Sequence, residues 1–281
     1  MPATQEFRLR ERHGYQMRLC SIASGSSGNC IYVGSDATHL LVDTGISGKR
    51  TEQGLNQIGI SLRDIDGILV THEHADHISG LGVISRKYGI PIYAAPGTLD
   101  AIANTSSVGK IDTSLFHQVN ADEKLIIKDI AVHPMRVSHD AAEPLAYRFA
   151  YGDKKVGIIT DLGTYNEYTV ANLQGLDAVL LEANHDINML QVGPYPYYLK
   201  QRILGNRGHL SNEMSGRLLS AILHDGMKKI ILGHLSKENN LAELAYETVR
   251  VEVTAADVPY QGNDFPICVA NRSDVSEVVT I

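Results

Sequence analysis

The segment His72-Glu73-His74-Ala75-Asp76-His77 decides the fold, because four of its six side chains are potential metal ligands. It follows directly on the apolar run Ile68-Leu69-Val70, which is typical of a buried strand. An extended backbone places alternate side chains on one side, so the first two histidines can converge on one ion. If the chain then turns into a helix, Asp76 and His77 face a second ion. The alternative is a polar loop with Asp76 as a helix N-cap, which leaves the density of ligands unexplained.

Several later strand-like runs also end in a side chain that can bind a metal. These ends are Ser138-His139-Asp140, Thr160-Asp161, Glu182-Ala183-Asn184-His185 and Gly233-His234. Each one alone is typical of a turn or a capped loop, but together they match a two-metal site. Such a site requires a third histidine for the first ion, a carboxylate that bridges both ions and a histidine for the second ion. The candidates for these three positions are His139, Asp161 and His234.

The ligand types and the composition limit the cofactor and the compartment. Imidazole and carboxylate groups favour Zn²⁺, with Mn²⁺ or Fe²⁺ as alternatives if oxygen ligands dominate. Three cysteines without CxxC spacing argue against a disulfide framework and a thiolate site, and they favour core thiols in a reducing cytoplasm. No apolar run approaches the ~20 residues of a membrane span, so we expect no membrane insertion. The net charge of −7 means that local cations and the metals must meet any polyanionic substrate.

The pattern along the chain predicts an α/β protein, and its 281 residues suit one large domain or two small ones. Short β-prone runs alternate with helical runs such as Ile78 to Tyr88 and Glu213 to His224. Residues 1–16 are charged and lack the apolar stretch of a signal peptide. We therefore expect them to be a disordered extension or an alternative start.

Two loops near the first strands contain further candidate residues. The connection Gly25-Ser26-Ser27-Gly28-Asn29 can present N–H groups to a phosphate, which makes Ser26 and Asn29 candidate substrate-binding residues. The alternative is a tight turn, since a lone glycine-rich loop is not specific. Asp43 ends the third β-prone run, where a buried carboxylate can orient a histidine ligand. A turn-forming aspartate is equally consistent with that spacing.

The order HxHxDH, His, Asp and His, each after a strand, resembles the metallo-β-lactamase superfamily. The resemblance covers nearly the whole chain from Met17, which implies one domain over residues 17–281, and within the superfamily the chain resembles nucleases of the YycJ (WalJ) type. The motifs that carry it are Ala23-Ser24-Gly25-Ser26-Ser27-Gly28-Asn29, Val42-Asp43-Thr44-Gly45, Thr71 to His77, Ser138-His139-Asp140-Ala141, Thr160-Asp161-Leu162-Gly163, Glu182-Ala183-Asn184-His185-Asp186, Gly208-His209-Leu210-Ser211-Asn212 and Leu232-Gly233-His234-Leu235-Ser236.

The resemblance implies a four-layer αββα sandwich, with the metal site at the edge between two mixed sheets. It also implies a 5′-to-3′ DNA exonuclease that is linked to DNA repair. Glu182 and His209 match positions that handle a proton near the leaving group in related phosphodiesterases of the tRNA-processing type. We count them and Asp76 as catalytic candidates, and His185 as a substrate-binding candidate whose role stays open. In the implied ligand set, one metal is held by His72, His74 and His139, the other by Asp76, His77 and His234, and Asp161 bridges.

The interval from Asp161 to His234 is too short for the large cap domain of the β-CASP nucleases. It contains Gly193-Pro194-Tyr195-Pro196-Tyr197-Tyr198 and then three cations. Tyrosines that stack on bases and cations that meet phosphates are typical of sites for single-stranded nucleic acid. The alternative is a helix start with its tyrosines in the core and its cations solvated. The cations of this candidate DNA-binding lip are Lys200, Arg202 and Arg207.

These residues predict hydrolysis of a phosphodiester by a water that two metals acidify toward pH 7. His209 would protonate the leaving oxygen, and Glu182 would hold its tautomer. The alternatives are a hydrolase of a small phosphodiester, of RNA, or of a thioester or lactone. A redox enzyme of the flavodiiron type is disfavoured because such enzymes carry glutamate at the position of His74. A purely structural site is disfavoured because it closes with four ligands, whereas this chain offers seven for two ions.

Overall fold

The computed structural model describes residues 14–281, in which fourteen strands form two sheets. The strands are β1 (Arg18–Ala23), β2 (Cys30–Gly34), β3 (His39–Val42), β4 (Gly67–Leu69), β5 (Ile92–Ala94), β6 (Phe116–Gln118), β7 (Leu125–Ile127), β8 (Ile130–Arg136), β9 (Leu145–Tyr151), β10 (Lys154–Ile159), β11 (Ala178–Glu182), β12 (Lys229–Gly233), β13 (Ile267–Val269) and β14 (Val279–Thr280).

Both sheets are mixed, and in each the parallel half lies toward one end. The first sheet has the order β14-β1-β2-β3-β4-β5-β6, and it is parallel from β3 to β6. The second has the order β13-β12-β11-β10-β9-β8-β7, and it is parallel from β10 to β13. Parallel strands require crossover connections, which place helices on the sheet faces.

Nine α-helices cover residues between these strands in the described part of the chain. They are α1 (Gly48–Gln57), α2 (Ala75–Ile78), α3 (Leu81–Tyr88), α4 (Pro96–Asn104), α5 (Glu167–Leu173), α6 (Ile187–Val192), α7 (Tyr197–Leu204), α8 (Asn212–Ile222) and α9 (Ala242–Ala255). Short 3₁₀ helices span Leu62–Asp64, Thr113–Leu115 and Gly262–Asp264. Over residues 14–281, every helix falls short of the length and apolar character needed to cross a membrane.

The buried side chains divide into three apolar layers, which shows how the sheets and helices stack. Leu19 and Ile31 of the first sheet pack with Phe149 and Ile158 of the second, so one layer lies between the sheets. Successive side chains of a strand point to opposite faces, and Tyr32 accordingly packs in the layer under α1, α3 and α4. A third layer lies between the second sheet and helices α5, α8 and α9. The order of layers is therefore αββα, as predicted.

The domain boundaries of the sequence analysis stay a prediction. Residues 1–13 of the expected extension lie outside the described residues. Tyr15, within the same extension, packs its ring edge-on against Tyr151, with 4.9 Å between the ring centroids. Met17 and Ile281 exchange two backbone hydrogen bonds, and β14 pairs with β1. The first and last strands of residues 14–281 therefore lie side by side.

Candidate metal centre

The polar residues of the centre follow strands that end at one edge of the two sheets. Asp43 follows β3, the segment from His72 follows β4, Asp161 follows β10 and His234 follows β12. Ligands in parallel sheets lie outside the carboxyl ends of the strands. The backbone bends sharply there, because Asp43, Asp161 and His234 have φ angles of 61°, 57° and 54°. A left-handed residue other than glycine costs about 1–3 kcal/mol, so the surrounding contacts must hold these turns.

Three histidines form the first group of potential ligands. Ligand atoms of His72, His74 and His139 all lie within 4.8 Å of one another. The distance between Nδ1 of His74 and Nε2 of His139 is 3.3 Å. His72 and His139 are buried, whereas His74 is half-buried. An ion held by these nitrogens would therefore stay accessible from the side of His74.

An aspartate and two histidines form the second group. Oδ2 of Asp76 lies 3.5 Å from Nε2 of His77 and 3.4 Å from Nε2 of His234. Asp161 lies between the two groups: its Oδ2 is 3.1 Å from Nε2 of His77, and its Oδ1 is 3.7 Å from Nε2 of His139. The two oxygens of one buried carboxylate therefore face both groups, as a bridging ligand requires.

The outward nitrogens of three ligand rings are fixed by acceptors. Nδ1 of His77 donates to Asp43 Oδ2 at 2.7 Å, and Nδ1 of His139 donates to the carbonyl oxygen of Gly208 at 3.0 Å. Nδ1 of His234 donates to Glu182 Oε1 at 3.0 Å. A carbonyl or carboxylate oxygen accepts only, so each ring carries a proton on Nδ1 and turns Nε2 inward. This arrangement is the usual one for histidines that bind metals.

The side chains of the centre fit divalent metal ions. Nε2 of His72 is buried and has no hydrogen-bond partner within residues 14–281. An unpaired buried nitrogen costs about 1–3 kcal/mol, and an ion among the three histidines of the first group would satisfy it. Nitrogen donors with carboxylate oxygens form the donor set of zinc and related transition metals.

The charges of the centre shift the pKa values of its members. Burial raises the pKa of Asp161, but the neighbouring His234 and His77 outweigh burial and hold that pKa well below its usual range. Burial lowers the pKa of His234, but the carboxylates of Asp161, Asp76 and Glu182 together outweigh burial and raise that pKa to about 10. Burial and the neighbouring His77 lower the pKa of His72 well below its usual range. His72 is therefore neutral near pH 7, with a free lone pair for a cation.

Glu182 and His209 form a hydrogen-bonded pair beside the two groups. Oε1 of Glu182 accepts from Nδ1 of His209 at 2.8 Å, and Oε2 accepts from the backbone N–H of Leu162 at 2.8 Å. Burial raises the pKa of Glu182, but His209 and His234 outweigh it and lower that pKa to about 2. Glu182 is fully buried, whereas the side chain of His209 is 17% exposed. The pair therefore places an imidazole at the boundary between the centre and solvent.

The other candidate substrate-binding residues near the centre differ in accessibility. Ser26 is exposed, whereas Asn29 is buried and its Nδ2 lies 3.2 Å from Nε2 of His77. His185 is fully buried, and neither of its ring nitrogens has a hydrogen-bond partner in the described chain. Burial lowers the pKa of His185 to about 4, so this ring is neutral and closed off from solvent.

The three lip cations are each bound to another part of the protein. Lys200 Nζ donates to the carbonyl oxygen of Gln191 at 2.7 Å, and Arg202 pairs with both oxygens of Asp140. Arg207 Nε donates to the carbonyl oxygen of His139 at 3.0 Å. The two arginine contacts fasten α7 and the loop after it to the loop that carries His139, and the Lys200 contact joins α7 to α6. Two tyrosines of the segment are exposed, Tyr197 at 76% and Tyr198 at 75%, whereas Tyr195 is half-buried.

Sequence reasoning missed residues that position the ligands. Thr71 donates its backbone N–H and its hydroxyl to Asp43, at 2.8 Å and 2.9 Å, and its oxygen also lies 3.0 Å from Nδ1 of His72. Ser24 Oγ accepts from the backbone N–H of His234 at 2.8 Å. Both residues lie inside the quoted motifs, and their place there is the one feature of the sequence that points to a role in the centre. Their partners are distant in sequence, so spacing alone could not reveal these contacts.

An αββα fold with a histidine and aspartate centre at the sheet edge defines a class of metal-binding proteins. Comparison with known proteins places this chain in that class. The beta-lactamase superfamily domain matches residues 38–235. The chain is 43% identical to the exodeoxyribonuclease WalJ of Streptococcus pneumoniae over 88% of this chain and 91% of that protein. It is also 43% identical to the exodeoxyribonuclease YycJ of Bacillus anthracis, over 81% of this chain and 86% of that protein.

The same fold occurs in the metallo-beta-lactamase fold protein YhfI of Bacillus subtilis. That structure superimposes with a TM-score of 0.68 at 17% identity, over 94% of this chain and 99% of YhfI. The chain belongs to the beta-lactamase superfamily. Both the predicted family and the predicted fold class are confirmed, and the fold family implies divalent metal ions in the centre.

Proposed function

We propose that this protein is a metal-dependent exodeoxyribonuclease that degrades DNA from the 5′ end. The main observation behind this proposal is that seven potential ligands converge, with Asp161 between two groups and His209 at the solvent boundary. The relatives named as exodeoxyribonucleases match most of this chain and most of their own length. The prediction of a metal-dependent hydrolase of the nuclease type agrees with both names.

Two divalent ions, which we take to be Zn²⁺, would be held by the two groups of side chains. His72, His74 and His139 form the first set, Asp76, His77 and His234 form the second, and Asp161 is shared. When bound, such ions supply an acidified water and neutralise the charge that grows on the phosphoryl oxygens. Asp43, Glu182 and the Gly208 carbonyl keep the ligand rings oriented, which preserves the geometry during turnover.

His209 is the residue that we assign to proton transfer. Because Glu182 accepts from Nδ1, the other nitrogen of His209, Nε2, is free to face a substrate. With Nδ1 held by Glu182, a proton carried on Nε2 can pass to the leaving 3′ oxygen. The same pairing holds the ring in one orientation, so the acid does not have to be ordered in each cycle.

A DNA substrate is supported by the exposed rings of α7, a helix that Arg202 joins to Asp140 next to His139. Tyr197 and Tyr198 project from the start of α7, and Val192 nearby is 86% exposed. Single strands bind to such surfaces because every base has a stacking face. The protein carries a net charge of −7, so stacking and the metals must offset the overall repulsion of a polyanion.

The test compares substrates and variants of the metal-loaded protein. Cleavage is followed on 5′-labelled and 3′-labelled DNA, on the matching RNA, on bis(p-nitrophenyl) phosphate and on a thioester. We expect DNA to be shortened from the 5′ end, with the other substrates slower. Asp161→Ala should abolish cleavage, and His209→Ala should reduce it by about 10²–10⁴-fold, the range for a lost general acid. Release of product from the 3′ end, or faster thioester cleavage, would contradict the proposal.

A matched control and a metal count complete the test. His117 is an exposed histidine on β6, outside the centre. His117→Ala should therefore keep full cleavage and full metal content. Metal content measured by mass spectrometry should approach two ions per chain in the wild type, and it should fall in His72→Ala and His234→Ala. A wild type that binds no transition metal would refute the assignment of the centre.

A further inference from the structure

The carboxyl end of β13 brings an additional cation to the sheet edge of the metal centre. β13 runs parallel to β12, with Val269 opposite Leu232. The residues after β13 therefore run beside His234, and the backbone of Ala270 donates to the carbonyl oxygen of Leu232 at 2.8 Å. Two residues further along lies Arg272. No sequence motif surrounds this residue.

The guanidinium of Arg272 lies against two loops of the centre. A methyl group at Gly25 would come within 2.8 Å of Arg272 Nη1 and within 3.2 Å of the carbonyl oxygen of Leu235. Gly25 begins the glycine-serine loop, and Leu235 follows the ligand His234 directly. Glycine at position 25 thus leaves the space that the guanidinium occupies. Arg272 is therefore placed by tight packing and is not a freely extended surface side chain.

Arg272 lacks compensation for part of its charge. Its Nη1 atom is buried and has no hydrogen-bond partner within the described residues. Burial lowers the pKa of Arg272, and the nearby Glu238 and Tyr195 offset this only in part. The carboxylate of Glu238 is 47% exposed and lies 3.9 Å from Lys237 Nζ. An arginine held in this way provides a donor for an incoming anion, because a guanidinium matches the oxygens of a phosphate.

One short chain of contacts connects Arg272 to the ligands. The backbone N–H of Gly25 donates to Asn29 Oδ1 at 3.0 Å, and Asn29 Nδ2 lies 3.2 Å from Nε2 of His77. On the other side, Ser24 Oγ accepts from the N–H of His234 at 2.8 Å. The guanidinium and the centre therefore flank the same loop. A strand whose scissile phosphate occupies the centre would pass a neighbouring phosphate near Arg272.

A cavity is present at this position. It has a volume of about 310 Å³, and the residues that line it include Ser24, Leu235, Lys237, Asn271 and Arg272. The volume admits a phosphate with part of its sugar, and the two cations give the cavity a positive charge. The three lip cations differ from Arg272, since their nitrogens already donate to Gln191, Asp140 and His139.

We infer that Arg272 binds a phosphate of the DNA strand next to the one that is cleaved, and that the cavity it lines is the corresponding subsite. The inference rests on the proposed function, because it assumes that the centre acts on a nucleic acid. The phosphate is either the terminal 5′-phosphate or an internal one of the backbone. Both present phosphoryl oxygens to a guanidinium. The terminal phosphate is the dianionic group, and the internal phosphate is the monoanionic one.

The test compares Arg272→Ala and Arg272→Lys with Arg217→Ala, a control on α8 that removes an exposed arginine paired with Glu252. Cleavage is measured on 5′-phosphorylated DNA, on the same DNA with a 5′-hydroxyl, and on bis(p-nitrophenyl) phosphate. Arg272→Ala should raise KM for DNA by about ten- to a hundredfold, the range for a lost hydrogen bond to a charged group, with kcat nearly unchanged. The KM of Arg272→Lys for DNA should lie between those of the wild type and Arg272→Ala, and the KM of Arg217→Ala should match that of the wild type.

The substrate arms separate the two sources of phosphate. A loss confined to 5′-phosphorylated DNA identifies the terminal phosphate, and an equal loss on both DNAs identifies an internal one. The small phosphodiester should be hydrolysed normally by Arg272→Ala, with unchanged metal content. An equal loss on the small phosphodiester, or a loss of metal, would show that Arg272 only supports the fold and would overturn the inference. An unchanged KM on both DNAs would overturn it as well.

A binding readout keeps this result distinct from the proposed function. Phenylglyoxal modifies arginines, and mass spectrometry reports the extent at Arg272. A 5′-phosphorylated oligonucleotide should protect Arg272 but not Arg217. If the wild type cleaves no DNA, the proposed function fails, while protection of Arg272 would still show a phosphate subsite. If the wild type cleaves DNA and Arg272 is not protected, the inference fails and the function stands.

Discussion

Glu182 connects two histidines that have different tasks. Its Oε1 atom accepts from Nδ1 of His209 at 2.8 Å and from Nδ1 of His234 at 3.0 Å. Its Oε2 atom accepts from the backbone N–H groups of Leu162 and Leu210. All four neighbours donate, so the position requires a group that only accepts, and an ionised carboxylate is the one side chain of this size that does so.

Glu182→Gln tests this requirement. An amide has one acceptor oxygen and a donor NH₂ group, so it must leave either the two backbone N–H groups or the two imidazoles facing a donor. We expect DNA cleavage to fall by about 10²–10⁴-fold, the range for a lost acid-base group, and the free energy of unfolding to fall by about 1–3 kcal/mol for each buried group left unpaired. Kinetics and urea unfolding measure the two effects. Cleavage within twofold of the wild type would contradict the role of Glu182.

Asp43 acts on the metal centre through His77. It accepts from Nδ1 of His77 and twice from Thr71. Asp43→Asn keeps the shape and tolerates the left-handed backbone, but its NH₂ group faces a donor. We expect metal affinity to fall by about 10–100-fold, as for other residues that orient a histidine ligand. Competition with a chromophoric chelator measures the affinity, and the exposed Asp153→Asn is the control. Equal affinities in both variants would show that Asp43 only closes a turn.

At the scale of elements, the segment from Ile78 to Tyr88 shows where periodicity fails. The sequence predicts one helix there, but the structure has α2 and α3 separated at Gly80. The backbone N–H of Gly80 donates to the carbonyl oxygen of Thr44 at 2.8 Å, and a methyl group at Gly80 would lie 2.1 Å from the carbonyl oxygen of Ile46. The loop after β3 therefore crosses the helix too closely for any side chain at this position.

Gly45 provides the sharpest test of that loop contact. A methyl group there would lie 1.7 Å from the carbonyl oxygen of Asp76. Gly45→Ala must therefore displace the segment that carries Asp76 and His77, and overpacking of this kind costs about 1–3 kcal/mol or more. We expect a lower melting temperature together with a loss of metal, measured by calorimetry and mass spectrometry. Gly48→Ala is the control, because a methyl group there meets only side chains at 3.3 Å or beyond.

The site was predictable where ligands follow one another along the chain and not where they meet through folding. His72, His74, Asp76 and His77 belong to one turn, so their spacing reveals them. The pairing of Glu182 with His234 joins residues 52 positions apart, and Arg272 reaches the site only because β13 aligns with β12. The sequence did not reveal the left-handed φ angles at Asp161 and His234 either, because glycine is the residue usually found in that conformation.

At the scale of the whole molecule, burial on both faces of each sheet controls the chemistry of the cysteines. Cys20 and Cys30 are fully buried, whereas Cys268 is half-buried. Burial raises the pKa of Cys20 to about 12 and raises that of Cys30 further. Both thiols therefore stay protonated, and thiols react as thiolates. We expect iodoacetamide at pH 8 to modify Cys20 and Cys30 only after denaturation, as measured by mass spectrometry. Rapid modification of either thiol in the native protein would contradict the layered core.

The exposed rings of α7 give a prediction for the molecule as a DNA-binding body. Replacement of Tyr197 and Tyr198 by alanine should weaken binding of single-stranded DNA by about 1–3 kcal/mol for each base that loses a stacking partner. Hydrolysis of bis(p-nitrophenyl) phosphate should stay unchanged, because neither ring belongs to the centre. Fluorescence anisotropy with labelled DNA measures the affinity. Val251→Ala removes an exposed apolar side chain from α9 and is the control, and an equal loss of affinity in both variants would refute the stacking role.

The left-handed residues at the strand ends have a consequence for engineering. Asp161 and His234 would each be relieved of conformational cost by glycine, so replacing them is a route to a more stable but inactive protein. Asp43 differs, because glycine there would leave the buried donors of His77 and Thr71 unpaired. Selection for thermal tolerance alone would favour the changes at Asp161 and His234, because proteins commonly trade activity against stability at functional sites. A directed-evolution campaign on this scaffold should therefore screen for cleavage at every round, and it should seek stabilisation in the helical layers far from the sheet edge.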